Sequence, residues 1–259
     1  EAGWAVSGVE VIGRWLLPKG VAPVVQPLLI GKALRAFADG YVAVLLPAYL
    51  LALGFGTLDV GILSTATLLG SALATLAVGA WGHRFHHRRL LLGAALLMLS
   101  TGLAFASMSA FWPLLLVAFI GTLNPSSGDV SVFLPLEHAR LAESSQGATR
   151  TALFARYSLL GALFAALGAL ASGLPQLLVA TLGIEQLTAF RVMFVFYGMV
   201  GGAVWFLYLS LPAPEHEVEV PPALPLGESK GVVVRLALLF SLDSFAGGLA
   251  INTLMALWF

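Results

Sequence analysis

Long runs of apolar residues alternate with short polar connections along this chain of 259 residues. Each run is about 20 residues long or longer, which is the length that an α-helix needs to cross roughly 30 Å of hydrocarbon. The runs are continuously apolar, whereas a strand of a membrane barrel alternates polar and apolar residues. The pattern therefore predicts seven membrane-spanning helices, near residues 33–54, 58–81, 89–108, 111–136, 149–181, 187–211 and 232–259.

The composition agrees with an all-α polytopic membrane protein. Hydrophobic residues make up 59% of the chain and charged residues only 10%, against about 25% charged residues in an average soluble domain. The formal net charge of zero gives no electrostatic basis for a nucleic-acid partner. No cysteine is present, which excludes disulfides and thiolate metal ligands within this sequence. We expect a lipid bilayer as the surroundings, no cofactor, no metal site and no enzymatic activity.

Basic residues are concentrated ahead of the first span and in every second connection. They are Arg14, Lys19, Lys32 and Arg35 ahead of the first span, Arg84, Arg88 and Arg89 in the second connection, Arg140 and Arg150 in the fourth, and Lys230 and Arg235 in the sixth. Cytoplasmic loops carry the excess of Lys and Arg in membrane proteins. The sequence thus predicts a multi-pass protein of the plasma (inner) membrane with a cytoplasmic N-terminus.

An internal repeat suggests that the chain contains one half of a longer protein and the start of the other. The segment 39–41 aligns with 243–245, so that Asp39 matches Asp243. We expect a cytoplasmic lead-in over 1–32, a six-helix bundle over 33–211, a linker over 212–231 and a seventh helix over 232–259. The rest of the C-terminal half would be missing from this sequence, which begins without methionine and stops inside an apolar run.

The second connection carries a local signature. Segment 79–88 resembles the loop motif of the major facilitator superfamily at Gly79, Arg84 and Arg88. It departs from the motif at His83, where the family has Asp, and at His86, where the family has Gly. The resemblance implies a six-helix N-terminal bundle and a cytoplasmic gating loop that includes Gly79, His83, Arg84 and Arg88.

The end of the first span extends this resemblance. Residues 46–49, Leu-Pro-Ala-Tyr, are similar to the proline-containing end of the first helix in drug and metabolite exporters of the superfamily. The resemblance implies a secondary active transporter that moves a small-molecule substrate by alternating access, with protons as the coupling ion and export as the direction. The alternatives are uptake by proton symport, or a seven-span receptor-like protein or membrane subunit without transport.

Ionisable residues inside the spans are the candidates for coupling, since a charge at the centre of a span costs about 2.5–3.5 kcal/mol on insertion scales. Asp39 and Asp243 have no basic residue within a turn of their own predicted spans, which favours proton exchange. The alternative is that they remain hydrated near the cytoplasmic surface or anchor contacts between the halves. Asp129 is the third coupling candidate and is expected to pair with Arg156. Alternatively, Arg156 extends to the headgroups and Asp129 caps a break in the fourth span.

Polar and aromatic residues on the spans are candidates for a substrate cavity. Asn124 and Ser127 interrupt the apolar fourth span, Tyr41 and Phe245 are aromatic residues of the first and seventh spans, and Asn252 is a polar residue of the seventh. The alternatives are a simple kink in the fourth span, and aromatic side chains that face lipid or other helices.

The fifth predicted span is rich in small residues. Gly161, Ala165, Ala169 and Gly173 recur every four positions. Small residues at this spacing form a smooth stripe that lets another helix approach closely. We expect this stripe to be the packing face of the span.

Overall fold

The computed structural model describes residues 25–124, 131–211 and 230–248, and every regular element in these ranges is a helix. The α-helices are α1 (Gln26–Ala52), α2 (Thr57–Trp81), α3 (His87–Ser107), α4 (Phe111–Ile120), α5 (Phe133–Glu143), α6 (Gly147–Ala171), α7 (Leu174–Leu182), α8 (Gln186–Leu209) and α9 (Lys230–Gly248). A short 3₁₀ helix, Gly82–Arg84, joins α2 to α3. The predicted all-α polytopic class is confirmed.

Five helical segments of the described residues are long and apolar enough to cross a membrane. They are α1, α2, α3, the continuous stretch Gly147–Leu182 formed by α6 and α7, and α8. The expected fourth span over 111–136 is interrupted, because α4 ends at Ile120 and α5 begins only at Phe133. Gly121 follows α4 directly, and Asn124 precedes a proline in the sequence, a position that disfavours the helical conformation.

The first helix begins earlier than its hydropathy predicts. It starts at Gln26 rather than at 33, with Pro27 in its first turn, where a proline is tolerated. Lys32 and Arg35 were expected ahead of the first span, but both lie inside α1 and both are buried. The division of the chain into lead-in, bundle, linker and seventh helix stays a prediction.

Helix α1 is the central element of the bundle. It packs against α6 and α8, while α3 packs along α8 and α2 along α4. Aromatic residues fill the contacts: the rings of Phe105 and Phe194 stack with centroids 5.4 Å apart, and the buried Tyr49 hydroxyl donates a hydrogen bond to the Phe105 carbonyl at 2.5 Å. These contacts join α1, α3 and α8 into one core.

The contact between α1 and α6 depends on glycine. A Cβ on Gly168 would overlap the backbone carbonyl of Phe37, and a Cβ on Gly40 would overlap the carbonyl of Ala165. The small-residue face of α6 is thus formed by Gly161, Ala165 and Gly168. Two members of the predicted stripe, Ala169 and Gly173, are instead exposed. The reason is that an α-helix repeats every 3.6 residues, so a strict four-residue repeat drifts off the contact face.

Substitution of Gly168 tests this contact. Gly168→Val should lower the free energy of unfolding by about 1–3 kcal/mol or more, because the added atoms overlap backbone that cannot move independently. The matched variant Ala169→Val adds a similar volume at an exposed neighbouring position and should change stability little. Thermal unfolding in detergent measures both. Equal effects of the two variants would contradict the assigned face.

Candidate functional site

A buried carboxylate joins four helices in the interior of the bundle. Glu137 lies on α5 with its side chain fully buried. Nη2 of Arg35, from α1, donates to Oε1 and Oε2 of Glu137 at 2.5 Å each. The Tyr157 hydroxyl of α6 donates to Oε2 at 2.5 Å, and the Tyr208 hydroxyl of α8 donates to Oε1. We call these four residues the Glu137 cluster.

Further aromatic and cationic side chains surround this cluster. The Lys32 Nζ atom lies 5.1 Å from the centre of the Tyr157 ring, and the Arg35 Cζ atom lies 3.9 Å from the centre of the Phe133 ring. Cations over aromatic faces gain electrostatic stabilisation that is larger when they are desolvated. The rings thus help to hold two positive charges within the bundle.

Two glycines create the space that these side chains occupy. A Cβ on Gly31 would lie 2.6 Å from the Tyr208 hydroxyl, and a Cβ on Gly161 would lie 2.6 Å from Cε of Lys32. Both glycines are buried. The glycines of α1 and α6 therefore set the geometry of the cluster as well as the distance between the helices.

The chemistry of the cluster follows from its burial. Desolvation makes a buried ion pair costly unless hydrogen bonds satisfy the remaining acceptor sites, and here two phenols supply them. A proton added to Glu137 would neutralise the carboxylate and leave the Arg35 charge without its main partner. Protonation of Glu137 would therefore weaken the electrostatic attraction that holds α1 to α5, and it would change the hydrogen bonds of α6 and α8 to the same carboxylate.

A second polar group surrounds the buried Tyr197 on α8. Its hydroxyl oxygen lies 3.1 Å from the Thr122 carbonyl oxygen, 3.3 Å from Thr122 Oγ1 and 3.4 Å from Asp39 Oδ1. A phenol has one proton to donate, so it can serve either the Thr122 carbonyl or Asp39 at one time. Thr122 belongs to the interruption between α4 and α5, which thereby contributes polar backbone to the interior.

The surroundings of Asp39 differ from those inferred from the sequence. Asp39 is half-buried on α1 and lies one helical turn after Arg35. The premise that no basic residue lies within a turn of Asp39 on its own span is therefore wrong, because α1 includes Arg35. The positive charge of Arg35 acts on Asp39 as well as on Glu137. The structure thus places the predicted coupling residue beside the Glu137 cluster.

Other predicted site residues fall into separate places. Tyr41 is fully buried between α1 and α8, where its hydroxyl donates to the Met193 carbonyl at 3.1 Å. Asn124 is buried at the interrupted fourth span. Asp243 lies on α9 with its side chain exposed.

The remaining predictions concern residues of which less is described. Asp129, Ser127 and Asn252 lie outside the described residues, so the Asp129–Arg156 pair stays a prediction. Arg156 is half-buried on α6, and its Nη1 atom is buried without a hydrogen-bond partner among the described residues. Phe245 lies on α9.

The predicted gating loop connects α2, α3 and the end of α8. Gly79 lies in the last turns of α2, while His83 and the exposed Arg84 lie in the 3₁₀ helix. Arg88 in the first turn of α3 donates from Nη2 to the Leu209 carbonyl at 2.8 Å. A cation at the C-terminal end of a helix satisfies free carbonyls and interacts favourably with the helix dipole. Arg88 thus fixes this loop to the last turn of α8.

The Glu137 cluster was not predicted from the sequence. Glu137 directly follows the predicted bounds of the fourth span, Arg35 was expected ahead of the first span, and the two residues are 102 positions apart. The one local signal was Pro27, a residue that suits the first turn of a helix and would have placed the start of α1 before both Lys32 and Arg35.

Comparisons with known proteins agree on the class. Residues 28–259 match the family model of the Major Facilitator Superfamily. The uncharacterized membrane protein YJR124C of Saccharomyces cerevisiae (strain ATCC 204508 / S288c) is 28% identical over 166 residues. This match covers 63% of the present chain and 37% of the yeast protein. The chain thus matches well under half the length of this relative.

A double substitution tests how the ion pair is stabilised. Arg35→Met should lower the free energy of unfolding by about 3–5 kcal/mol, because it leaves the buried Glu137 charge without its cation. Adding Glu137→Met to Arg35→Met should recover most of that loss, since the double variant buries no charge at this point. Chemical unfolding in detergent micelles measures all three proteins. If the double variant were as unstable as the sum of the single variants, the assigned pairing would be incorrect.

Proposed function

This chain belongs to the major facilitator superfamily, and on that premise we propose that it is part of a secondary active transporter that exports a small solute in exchange for protons. The protein would work by alternating access, in which two halves rock against each other around a site near the middle of the membrane. It would act on its substrate without covalent chemistry and would require no cofactor. The plasma membrane is its proposed location.

The observation that carries this proposal is the Glu137 cluster. Ionisable side chains are rare within membrane-spanning bundles because they are costly, and they commonly mark ion or substrate pathways. Here Arg35 and Glu137 are both buried, and phenols from two further helices complete the hydrogen bonds of the carboxylate. A passive membrane anchor has no comparable need for an interior carboxylate, so the cluster supports a role in ion or substrate movement.

Proton coupling is proposed for Asp39, Asp243 and Asp129, with Glu137 as a further participant. Arg35 is the physical link between Asp39 and Glu137, since its charge acts on both carboxylates. When either carboxylate binds a proton and loses its charge, Arg35 is free to interact more strongly with the carboxylate that remains ionised. This exchange would connect proton uptake with a change in the contacts of α1, α5, α6 and α8.

The proposed orientation places the N-terminus in the cytoplasm. The connections that carry Arg84, Arg88, Arg89, Arg140 and Arg150 would then lie on the cytoplasmic side. The hydrogen bond from Arg88 to Leu209 supports a common side for the connection between α2 and α3 and the end of α8. An α8 that ends in the cytoplasm agrees with an even number of spans before the linker.

Asparagine substitutions test the coupling role of Asp39 and Asp243. The native-length protein is reconstituted in liposomes with a trapped pH-sensitive dye, and a panel of metabolites and drugs is tested for compounds that release an imposed pH gradient. For an active compound, Asp39→Asn or Asp243→Asn should abolish pH-driven flux but preserve exchange of labelled for unlabelled compound. Asp59→Asn is the matched control, because Asp59 is only half-buried and accepts a hydrogen bond from the Gly56 backbone N–H at the start of α2, away from the Glu137 cluster.

The outcomes separate the candidate functions. Opposite movement of compound and protons supports export, whereas movement in the same direction supports symport and replaces the proposed direction. Full pH-driven flux in Asp39→Asn or in Asp243→Asn removes that residue from the coupling role. If no compound of a broad panel alters the gradient or exchanges, the receptor-like or subunit alternative becomes the better description.

Intact mass tests the proposed second half. The rocking mechanism requires a polypeptide with a further bundle, so the protein purified from its native source should have a mass near twice 27.1 kDa. The partial coverage of the yeast relative and the repeat between 39–41 and 243–245 support this expectation. A native mass of 27.1 kDa would contradict the two-half mechanism.

A further inference from the structure

A cavity of about 240 Å³ lies between α2, α3 and the interruption that separates α4 from α5. Most of its wall is apolar. The apolar residues include Ala74 and Val78 from α2, Leu90, Ala94 and Leu97 from α3, and Leu136 from α5. This cavity is separate from the Glu137 cluster, whose charged and phenolic side chains do not line it.

The polar part of the wall consists of one cation and a few hydroxyl groups. Arg89 in the first turns of α3 is the one charged residue among the described residues that line the cavity. It is exposed at the rim of the cavity and makes no hydrogen bond or ion pair with another described residue. Ser71, Thr122 and Ser131 supply hydroxyl groups. The neighbouring Arg88 differs, since its guanidinium is bound to the Leu209 carbonyl.

We propose that this cavity binds an amphiphilic anion, with a carboxylate or phosphate group at Arg89 and an apolar body against α2 and α3. An unpaired guanidinium at the edge of an apolar wall favours a ligand that carries both kinds of surface, because the two attractions add. Among the described residues, the lining contains no acidic side chain that would repel an anion. The volume is below the range of roughly 300–1,000 Å³ that is usual for drug-sized ligands, which favours a small body or one segment of an acyl chain.

Gly93 provides a way to fill the cavity without disturbing the fold. It lines the cavity, and a Cβ at this position would meet open space within 4 Å. A larger side chain can therefore enter the cavity without overlapping a neighbour. Replacing a helical glycine also lowers the conformational freedom of the unfolded chain, so Gly93→Leu should fold at least as well as the parent protein.

The first experiment measures octanoate binding by calorimetry to the native-length protein in nanodiscs of phosphatidylcholine. Octanol is the neutral probe of similar shape. Octanoate should bind more tightly than octanol. Arg89→Gln should weaken octanoate binding about tenfold or more, as expected for loss of a hydrogen bond to a charged group. Gly93→Leu should abolish the binding of both probes.

Arg235→Gln is the matched control. Arg235 lies exposed on α9 and does not line the cavity, so its loss removes the same charge from the protein without touching the site. Binding should be unchanged in this variant. An equal loss of binding in Arg235→Gln and Arg89→Gln would reduce the effect to net charge and overturn the proposal.

The second experiment separates a soluble anion from a lipid headgroup. Replacing phosphatidylcholine with phosphatidylglycerol should raise the unfolding temperature of the parent protein more than that of Arg89→Gln if the anion is a lipid phosphate. Octanoate binding without such a difference assigns the site to a soluble carboxylate. The proposal fails if octanoate and octanol bind equally, or if the parent protein responds to neither octanoate nor phosphatidylglycerol.

Neither experiment depends on transport. A protein that binds octanoate through Arg89 but moves no solute would support the site and contradict the proposed function. A protein that moves solute but does not bind octanoate through Arg89 would contradict the proposed site and leave the proposed function intact.

Discussion

The ion pair between Arg35 and Glu137 is the interaction on which the interior of this bundle depends. Burying two charges is costly, and here the cost is offset by hydrogen bonds from Nη2 of Arg35 to both carboxylate oxygens, two phenolic hydrogen bonds and an aromatic ring under the guanidinium. Arg35, Tyr157 and Tyr208, which contact the carboxylate of Glu137, each come from a different helix. The requirement to keep Glu137 satisfied therefore fixes the positions of α1, α5, α6 and α8 relative to one another more specifically than apolar packing would.

Close helix packing and the polar interior are two aspects of one arrangement. Gly168 and Gly40 bring the backbones of α1 and α6 together, and Gly161 on the same face leaves room for Lys32. Packing in a membrane gains little from the hydrophobic effect, so small residues and interior polar contacts supply the specificity. A rearrangement of the charges near Lys32 and Arg35 would consequently change the fit between these two helices.

The all-α membrane class could be predicted from the sequence because an apolar run of about 20 residues has few other physical solutions. The local details depended on contacts that hydropathy does not encode. A charged residue was assumed to mark the end of a span, so Lys32 and Arg35 were expected outside the first helix. Both lie inside it, because Tyr157 and Glu137 on other helices contact them there. Small residues were correctly predicted to form the packing face of α6, but Gly168 rather than Ala169 contacts α1. The reason is that residues on one face of an α-helix recur every 3.6 positions and not strictly every four.

Charge balance explains why the two neighbouring carboxylates are expected to act together. Arg35 and Lys32 are positive, and Asp39 and Glu137 are negative, so these four side chains are balanced when both carboxylates are ionised. One bound proton leaves an excess positive charge in a region where charge is poorly solvated. The excess is relieved if the proton leaves, if an anionic group enters, or if the helices move so that water reaches Lys32 or Arg35. Under the proposed function, a proton bound by this cluster would therefore favour either binding of an anionic group or a movement of the helices, as a coupled carrier requires.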